Sequence, residues 1–230
     1  MAGIEDSIIE KPKFFNRSSF IVYGTSRSGK TEFVLKLIKH AKDMFQSQKQ
    51  FKKILYCYSV MQDSFLELEK KFPPETVVLH KNLPSLDYVK GFTKPGIENE
   101  LLVVIDDLMY EALSSKEISM LFTSGRHMNL TIILITQSLF EKGSYSRTIA
   151  LNSCYLVLFR NRRDIKQIRR FAQQMYSSAD VDKFMSAYKD ATTEPYQYLV
   201  IDLHSDSDDT TRIRSQIFPD NDEMVLYQID

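Results

Sequence analysis

The sequence is poor in cysteine and has no excess of either charge. Its two cysteines, Cys57 and Cys154, both lie in apolar runs, which predicts buried thiols rather than a disulfide or a zinc site. Lys and Arg total 30, and Asp and Glu also total 30, so no overall positive field attracts nucleic acid. Any contact with DNA must therefore come from a local basic patch or from several subunits acting together.

Long apolar stretches are also missing. The longest apolar runs have only the length of a strand, which argues against a membrane-spanning helix. Residues 1–15 contain acids and lysines without an apolar core, so neither a signal peptide nor a membrane anchor is predicted. We therefore expect an intracellular protein with no membrane partner.

The remaining composition is typical of a globular protein. The chain has 230 residues, of which 43% are hydrophobic and 26% are charged. No low-complexity segment divides it, so we expect a single domain over residues 1–230. Within this domain, residues 1–17 are predicted to form an N-terminal extension, and residues 195–230 a C-terminal β-hairpin and tail.

Apolar runs of strand length alternate with segments of helical period. This alternation predicts an α/β fold with a mostly parallel central sheet flanked by helices. The predicted strands are 19–23, 53–58, 76–79, 101–105, 130–136 and 155–159, with a terminal hairpin at 198–202 and 211–217. The main predicted helices follow residue 31 and cover 62–72, 115–122, 164–175 and 178–188. In the helix 164–175, the side chains of Ile165, Ile168, Ala172 and Met175 are expected to face inward.

The segment GTSRSGKT at residues 24–31 matches the phosphate-binding P-loop pattern. It follows an apolar strand and opens an amphipathic helix, which is the arrangement that the motif requires. The loop must aim backbone N–H groups at phosphates, and glycine permits the tight turn. Lys30 is expected to reach the β- and γ-phosphates of ATP, and Thr31 to bind Mg²⁺. The predicted nucleotide-binding residues are Gly24, Thr25, Ser26, Arg27, Ser28, Gly29, Lys30 and Thr31.

Two acids end the apolar strand LLVVIDD. Open α/β sheets bind ligands at the carboxyl ends of their strands, so both carboxylates are predicted to face the nucleotide. We expect Asp106 to hold Mg²⁺ and Asp107 to orient and polarise the attacking water.

The next apolar strand, LTIILIT, ends at Gln137. In RecA-like ATPases the corresponding strand lies between the P-loop strand and the acidic strand. Gln137 is therefore predicted to sense the γ-phosphate, because an amide can bond both a phosphate oxygen and the attacking water.

Two further groups of basic residues have more than one interpretation. Arg126, on a short loop before this strand, is either an arginine finger for a neighbouring subunit's nucleotide or a surface arginine. The segment RNRRD at 160–164 and the following helix hold the densest positive cluster. Arg163, Lys166 and Arg170 share one helical face, which either contacts phosphates or is a solvated polar face.

Taken together, the motifs resemble the FtsK–HerA superfamily, and within it the poxvirus-type packaging ATPases. Such ATPases are also found in other large DNA viruses, virophages and Maverick/Polinton elements. The resemblance is carried by FIVYGTSRSGKTEFVLKLI, LLVVIDDLM, TSGRHMNLTIILITQSLF, LFRNRRDIKQI and EPYQYLVIDLHSDSDDTTRIRSQIF, which cover nearly the whole chain in the family's order. Asp107 departs from the pattern, since many superfamily members have glutamate there.

The resemblance implies a RecA-like ATPase that uses ATP and Mg²⁺ to move double-stranded DNA into a preformed capsid. It further implies a homo-oligomeric ring that docks on capsid or portal-vertex proteins. The expected location is the viral assembly site in the host cell, with association with the virion also compatible. Arg126 then fits an arginine finger that acts on a neighbouring subunit.

Other functions remain open at this stage. A nucleotide kinase also has a P-loop and often an arginine-rich lid, and it would be stimulated by a nucleoside monophosphate rather than by DNA. A nucleotide-switched factor that binds without turnover is a second alternative, although Lys30, Thr31, Asp106 and Gln137 are all intact. The residues do not separate a viral motor from a DNA translocase of a plasmid or transposon.

Overall fold

The computed structural model describes residues 11–93, 101–221 and 223–229. Of the predicted N-terminal extension, residues 1–10 lie outside the described residues, as do residues 222 and 230 of the predicted tail. Within the described ranges, no helix has the length and hydrophobicity needed to cross a membrane.

Within the residues that the structure describes, nine strands form one sheet in the order β3-β2-β4-β5-β1-β6-β7-β8-β9. The first six neighbours in this order, β3 to β6, pair in parallel, and β7, β8 and β9 add antiparallel strands at one edge. In chain order the strands are β1 Ser19–Tyr23, β2 Lys53–Tyr58, β3 Val77–Lys81, β4 Leu101–Asp106, β5 Leu130–Thr136, β6 Tyr155–Phe159, β7 Tyr198–Asp202, β8 Ile213–Ser215 and β9 Val225–Leu226.

The helices cover both faces of this sheet. In chain order they are α1 Lys30–Lys39, α2 Ala41–Met44, α3 Asp63–Lys70, α4 Leu86–Lys90, α5 Met109–Ser114, α6 Lys116–Ser124, α7 Ser146–Leu151, α8 Ile165–Met175 and α9 Ser178–Ala191. Short 3₁₀ turns occur at Gly125–Met128 and Asp209–Thr211.

Alternating side chains of the central strands feed two apolar cores. In β1, Ile21 and Tyr23 pack on the face covered by α4 to α9, whereas Phe20 and Val22 pack on the face covered by α1 to α3. The strands β4 and β5 are buried over their whole length. Because helices cover both faces of these strands, almost every side chain in them is apolar. The continuous apolar runs in the sequence have this cause.

The register brings the carboxyl ends of β4, β5, β1 and β6 to one edge of the sheet. Tyr23 is level with Thr136 of β5 and Leu158 of β6, and Ile105 is level with Leu134. The segments that follow these strands are therefore neighbours, although more than a hundred residues separate β1 from β5 in the chain. This edge is where an open α/β sheet binds its ligand.

The predicted α/β fold is confirmed, with β5 between β1 and β4 as expected. One detail of α8 was wrong, since Ile165 and Met175 are each 40% exposed, and only Ile168 and Ala172 of the four expected residues are buried. Ile165 and Met175 are the first and last residues of the helix, where less of the protein covers the side chains. The C-terminal hairpin is present, but β8 is shorter than predicted and β9 adds a further strand.

Candidate nucleotide-binding site

The P-loop connects β1 to α1 across the carboxyl edge of the sheet. Its first residue is held by the neighbouring strand, because the Gly24 N–H donates to the Thr136 carbonyl at 3.2 Å. A Cβ at Gly24 would lie 2.6 Å from Cβ of Phe159, so any side chain there would collide with β6. Gly29 has φ +99° and caps α1, a conformation that favours glycine. Both motif glycines therefore have a local physical cause.

Lys30 begins α1 and is buried, with its ammonium directed back into the loop. Its Nζ donates to the Thr25 carbonyl oxygen at 2.7 Å. Burial lowers the pKa of Lys30, and this effect is opposed by the nearby carboxylates of Asp106 and Asp107. A phosphate in the loop would supply a further negative partner for this buried cation, which is the role predicted for Lys30.

Thr31 and Asp106 meet at the floor of the site. The Thr31 hydroxyl donates to Oδ2 of Asp106 at 2.9 Å, and the hydroxyl of Tyr56 on β2 donates to the same oxygen at 2.9 Å. Burial raises the pKa of Asp106, whereas the bonds from Tyr56 and Thr31 lower it. A hydroxyl beside a buried carboxylate is an oxygen-donor pair that suits Mg²⁺.

Asp107 is exposed and has a different environment from Asp106. Its backbone has φ +56°, a left-handed conformation that aspartate tolerates better than most residues. Its carboxylate accepts a 2.9 Å hydrogen bond from the Ser59 hydroxyl, which follows β2. The structure thus places one acid in the buried floor and the other on the open side of the cavity.

Gln137 follows β5 and reaches the P-loop. Its Oε1 accepts a hydrogen bond from the Ser26 hydroxyl at 3.2 Å. Its backbone N–H points at Sδ of Met109, 3.4 Å away. The Gln137 side chain therefore contacts the P-loop directly.

These residues enclose a cavity of about 640 Å³, large enough for a nucleotide's phosphates and more. The described residues that line it are Ser26, Arg27, Ser28, Gly29, Lys30, Thr31, Glu32, Gln62, Asp106, Asp107, Met109, Ile135, Gln137 and Tyr196. Of the predicted site residues, Gly24, Thr25 and Arg126 are not among the residues that line this cavity.

Arg126 is exposed on the 3₁₀ turn that precedes the amino end of β5. The P-loop follows the carboxyl end of the parallel strand β1, so the two lie at opposite ends of the strands. Its Nε bonds the neighbouring His127 ring at 3.3 Å. Seven residues of β5 separate this turn from Gln137, a strand length of about 20 Å. Arg126 therefore does not reach the nucleotide cavity of its own subunit.

The basic segment after β6 lies beside the P-loop. Its anchor is the buried Asn161, whose amide donates to the Tyr23 hydroxyl and whose Oδ1 accepts the N–H groups of Arg163 and Asp164. Of the predicted cationic face, Arg170 lies over the Phe140 ring at 4.9 Å. Among the described residues, no carboxylate forms an ion pair with Arg162, Arg163 or Lys166, all of which are exposed.

Sequence reasoning missed several contributors to the site, including side chains that bond the two acids. Tyr56 bonds Asp106, Ser59 bonds Asp107, and Tyr196 lines the cavity from a loop before β7. For Tyr56, the signal was a tyrosine in the apolar strand that neighbours the acidic strand. Nothing in the local sequence indicated that Ser59 would bond Asp107 or that Tyr196 would lie beside Gly29 of the P-loop.

Comparisons with known proteins found a matching family and several similar structures. The family described as the poxvirus A32 protein matches residues 10–228. No curated protein sequence matches the chain.

Several solved structures share the fold at low identity. The genome-packaging NTPase B204 of Sulfolobus turreted icosahedral virus 2, in complex with AMP, has a TM-score of 0.55 at 16% identity, over 84% of this chain and 96% of that one. B204, the DNA-packaging ATPase of Sulfolobus turreted icosahedral virus, has a TM-score of 0.55 at 14% identity, over 94% and 98%. The cytoplasmic domain of the Thermomonospora curvata type VII secretion ATPase EccC has a TM-score of 0.51 at 15% identity, over 92% of this chain and 25% of that one.

Proposed function

This chain belongs to the poxvirus A32 protein family, and we propose that it is an ATP-hydrolysing motor that packages double-stranded viral DNA into a capsid. Support comes from its structural similarity to the B204 packaging ATPases. The observation that carries the chemistry is the convergence of Lys30, Thr31, Asp106 and Gln137 on one cavity at the carboxyl edge of the sheet.

In this proposal ATP binds with its phosphates in the P-loop. Lys30 exchanges the Thr25 carbonyl for phosphate oxygens, and the α1 amino terminus adds its partial positive charge. Thr31 and Asp106 would hold Mg²⁺, since their oxygens already lie together. The ion, when bound, neutralises charge on the β- and γ-phosphates.

The attacking water is placed by two residues on the open side of the cavity. Asp107 is exposed, and its carboxylate can orient a water in addition to accepting the hydrogen bond from Ser59. Gln137 can donate to a γ-phosphate oxygen while its carbonyl oxygen faces the water. Ser26, which now bonds Gln137, would release it on binding ATP.

Arg126 acts in trans in the proposed motor. Because it lies at the edge opposite its own P-loop, it contributes to catalysis only if a second copy of the chain presents it to this site. A ring of identical subunits satisfies that requirement if the amino ends of the strands in each subunit face the carboxyl ends of the strands in its neighbour. The arginine would stabilise charge on the transferred phosphoryl group.

The exposed cations Arg162, Arg163 and Lys166 are the proposed contact with DNA phosphates. Contacts with the phosphate backbone are independent of base sequence, which suits a motor that must move any DNA. A ring brings several copies of this small patch together, so the zero net charge of the chain is no obstacle. The motor would work at the viral assembly site, docked on capsid or portal-vertex proteins.

The test is ATP hydrolysis with and without double-stranded DNA. Duplex DNA of any sequence should stimulate turnover, and Lys30→Ala should abolish it, whereas Lys39→Ala, an exposed lysine of the same helix, should have no effect. Stimulation by a nucleoside monophosphate rather than DNA would instead indicate a kinase. ATP binding without turnover, even with DNA and capsid present, would indicate a nucleotide-switched factor.

A further inference from the structure

Tyr196 has an unusual backbone and an unusual exposure for its residue type. It lies in the loop between α9 and β7 with φ +65°, and 70% of its surface is exposed. The left-handed region is uncommon for residues other than glycine, and is a true outlier for a bulky one. Such outliers often mark functional positions, because the surrounding structure must offset their cost.

The cause of this conformation is a tight turn over residues 194–197. The Gln197 N–H donates to the Glu194 carbonyl at 3.4 Å, with Pro195 and Tyr196 as the two central residues. Proline followed by a residue of positive φ is the pattern of a type II turn, in which glycine or asparagine normally fills the second place. Turn geometry alone therefore favours glycine at 196, so the turn does not explain the tyrosine there.

The ring lies against the P-loop. A Cβ built on Gly29 would be 3.2 Å from Cδ1 of Tyr196 and 3.4 Å from its Cβ, so the side chain rests directly over the glycine that caps α1. Among the described residues that line the phosphate cavity, Tyr196 is the only aromatic one. An exposed aromatic face is thus presented next to the phosphate-binding loop.

The residues that line this cavity indicate how a bound nucleotide would be oriented in it. Its γ-phosphate must point toward Asp106, Asp107 and Gln137. Gly29, Glu32 and Tyr196 line both this cavity and a larger neighbouring groove of about 1430 Å³, so the two adjoin at these residues. The ribose and base of the bound nucleotide would therefore extend out of the phosphate cavity next to Tyr196.

We infer that Tyr196 is a binding residue for the base of ATP, with its ring stacked against the adenine. This assignment presupposes the ATP-hydrolysing function proposed above and adds to it the residue that recognises the base. Offset stacking of a purine on tyrosine is favourable and does not depend on particular hydrogen bonds. The site thus favours nucleotides with a large base surface over those with a small one.

The decisive variant is Tyr196→Gly, because glycine suits the turn and the fold should tolerate it. We expect the KM for ATP to rise on the order of tenfold, with kcat nearly unchanged and no loss of Tm. Competition by inorganic tripolyphosphate, which has no base, should be unaffected. Tyr196→Phe should retain the wild-type KM, and Tyr110→Ala, which removes an exposed tyrosine outside the cavity lining, should change nothing.

Two results would overturn the assignment. One is a Tyr196→Gly variant with an unchanged KM for ATP. The other is equal weakening of ATP and tripolyphosphate, which would mean that the ring only supports the loop. Failure of the motor function is distinguishable, since wild-type turnover would then be insensitive to DNA while the difference between ATP and tripolyphosphate persisted.

Discussion

The hydroxyl of Tyr56 donates to Oδ2 of Asp106 at 2.9 Å, and this is the same oxygen that accepts from Thr31. Tyr56 is fully buried on β2, so its ring cannot leave without disturbing the core. The tyrosine thereby fixes the orientation of the proposed magnesium-binding carboxylate. Mutation of a residue that orients a metal ligand in this way typically lowers metal affinity or activity on the order of 10- to 100-fold.

Tyr56→Phe should raise the Mg²⁺ concentration needed for half-maximal ATP hydrolysis on the order of tenfold. The ring remains to fill the core, so the free energy of unfolding should fall by only about 1 kcal/mol. A magnesium titration of turnover measures the effect. Tyr58→Phe is the matched control, because Tyr58 lies on the same strand and packs on the same Phe65 ring. If Tyr56→Phe and Tyr58→Phe needed the same Mg²⁺ concentration, Tyr56 would have no role in magnesium binding.

Gln137→Ala should reduce kcat on the order of a hundredfold with little change in KM, because the amide acts on the γ-phosphate and water rather than on nucleotide binding. Steady-state kinetics at saturating magnesium measure both constants. Ser26→Ala removes the present partner of Gln137 and should leave kcat within about threefold of wild type. A large rise in KM without loss of kcat would contradict a sensor role.

Arg126→Ala should lower turnover about a thousandfold, which is typical of an arginine finger. The position of Arg126 makes a stronger prediction for mixtures. Arg126→Ala and Lys30→Ala subunits, each inactive alone, should recover activity when mixed, because a neighbour's intact arginine then meets an intact P-loop. Arg147→Ala, another exposed arginine, should be fully active. Absence of recovery in mixed assemblies of confirmed composition would argue against action in trans.

Arg163→Ala combined with Lys166→Ala should weaken duplex binding uniformly across DNA sequences. It should also reduce the slope of log affinity against log salt by about 2, since each lost phosphate contact releases about one counterion fewer. Binding measured at several salt concentrations provides the test. Arg169→Ala is the control on the same helix, because Arg169 is already paired with Asp182 at 2.8 Å. An unchanged slope would place the DNA contact elsewhere.

Gln167→Ala should uncouple DNA stimulation from ATP hydrolysis. The Gln167 amide oxygen accepts the Leu139 N–H at 2.7 Å, and its nitrogen donates to Asp164 at 2.6 Å, so it ties the loop after Gln137 to the start of α8. Turnover without DNA should remain, whereas the stimulated rate should fall toward it. Asn152→Ala removes a hydrogen-bonding amide between α7 and the amino end of β6. This control variant should still be stimulated by DNA. Loss of both rates together would indicate a purely structural role.

The family resemblance, the fold and the ATPase function were predicted from the sequence and are confirmed. The strands β1, β2, β5 and β6 begin and end where they were predicted to, because burial on both faces leaves few polar positions within them. The short helices α2, α4, α5 and α7 were not predicted, since four to six residues carry little periodic signal. The roles of individual site residues stay predictions until the variants are measured.

The sequence by itself determined the P-loop, the paired acids and the polar end of β5, because each is encoded in consecutive residues whose backbone geometry is local. Only the tertiary structure decided which residues meet them. Tyr56 reaches Asp106 across 50 positions and Leu139 reaches Gln167 across 28. The parallel pairing of β5 with β1 sets Arg126 at the end of the strands opposite its own P-loop, and the fold of the chain after α9 sets Tyr196 over Gly29. Such contacts depend on strand order and register, which arise when the whole sheet packs and not from any one segment.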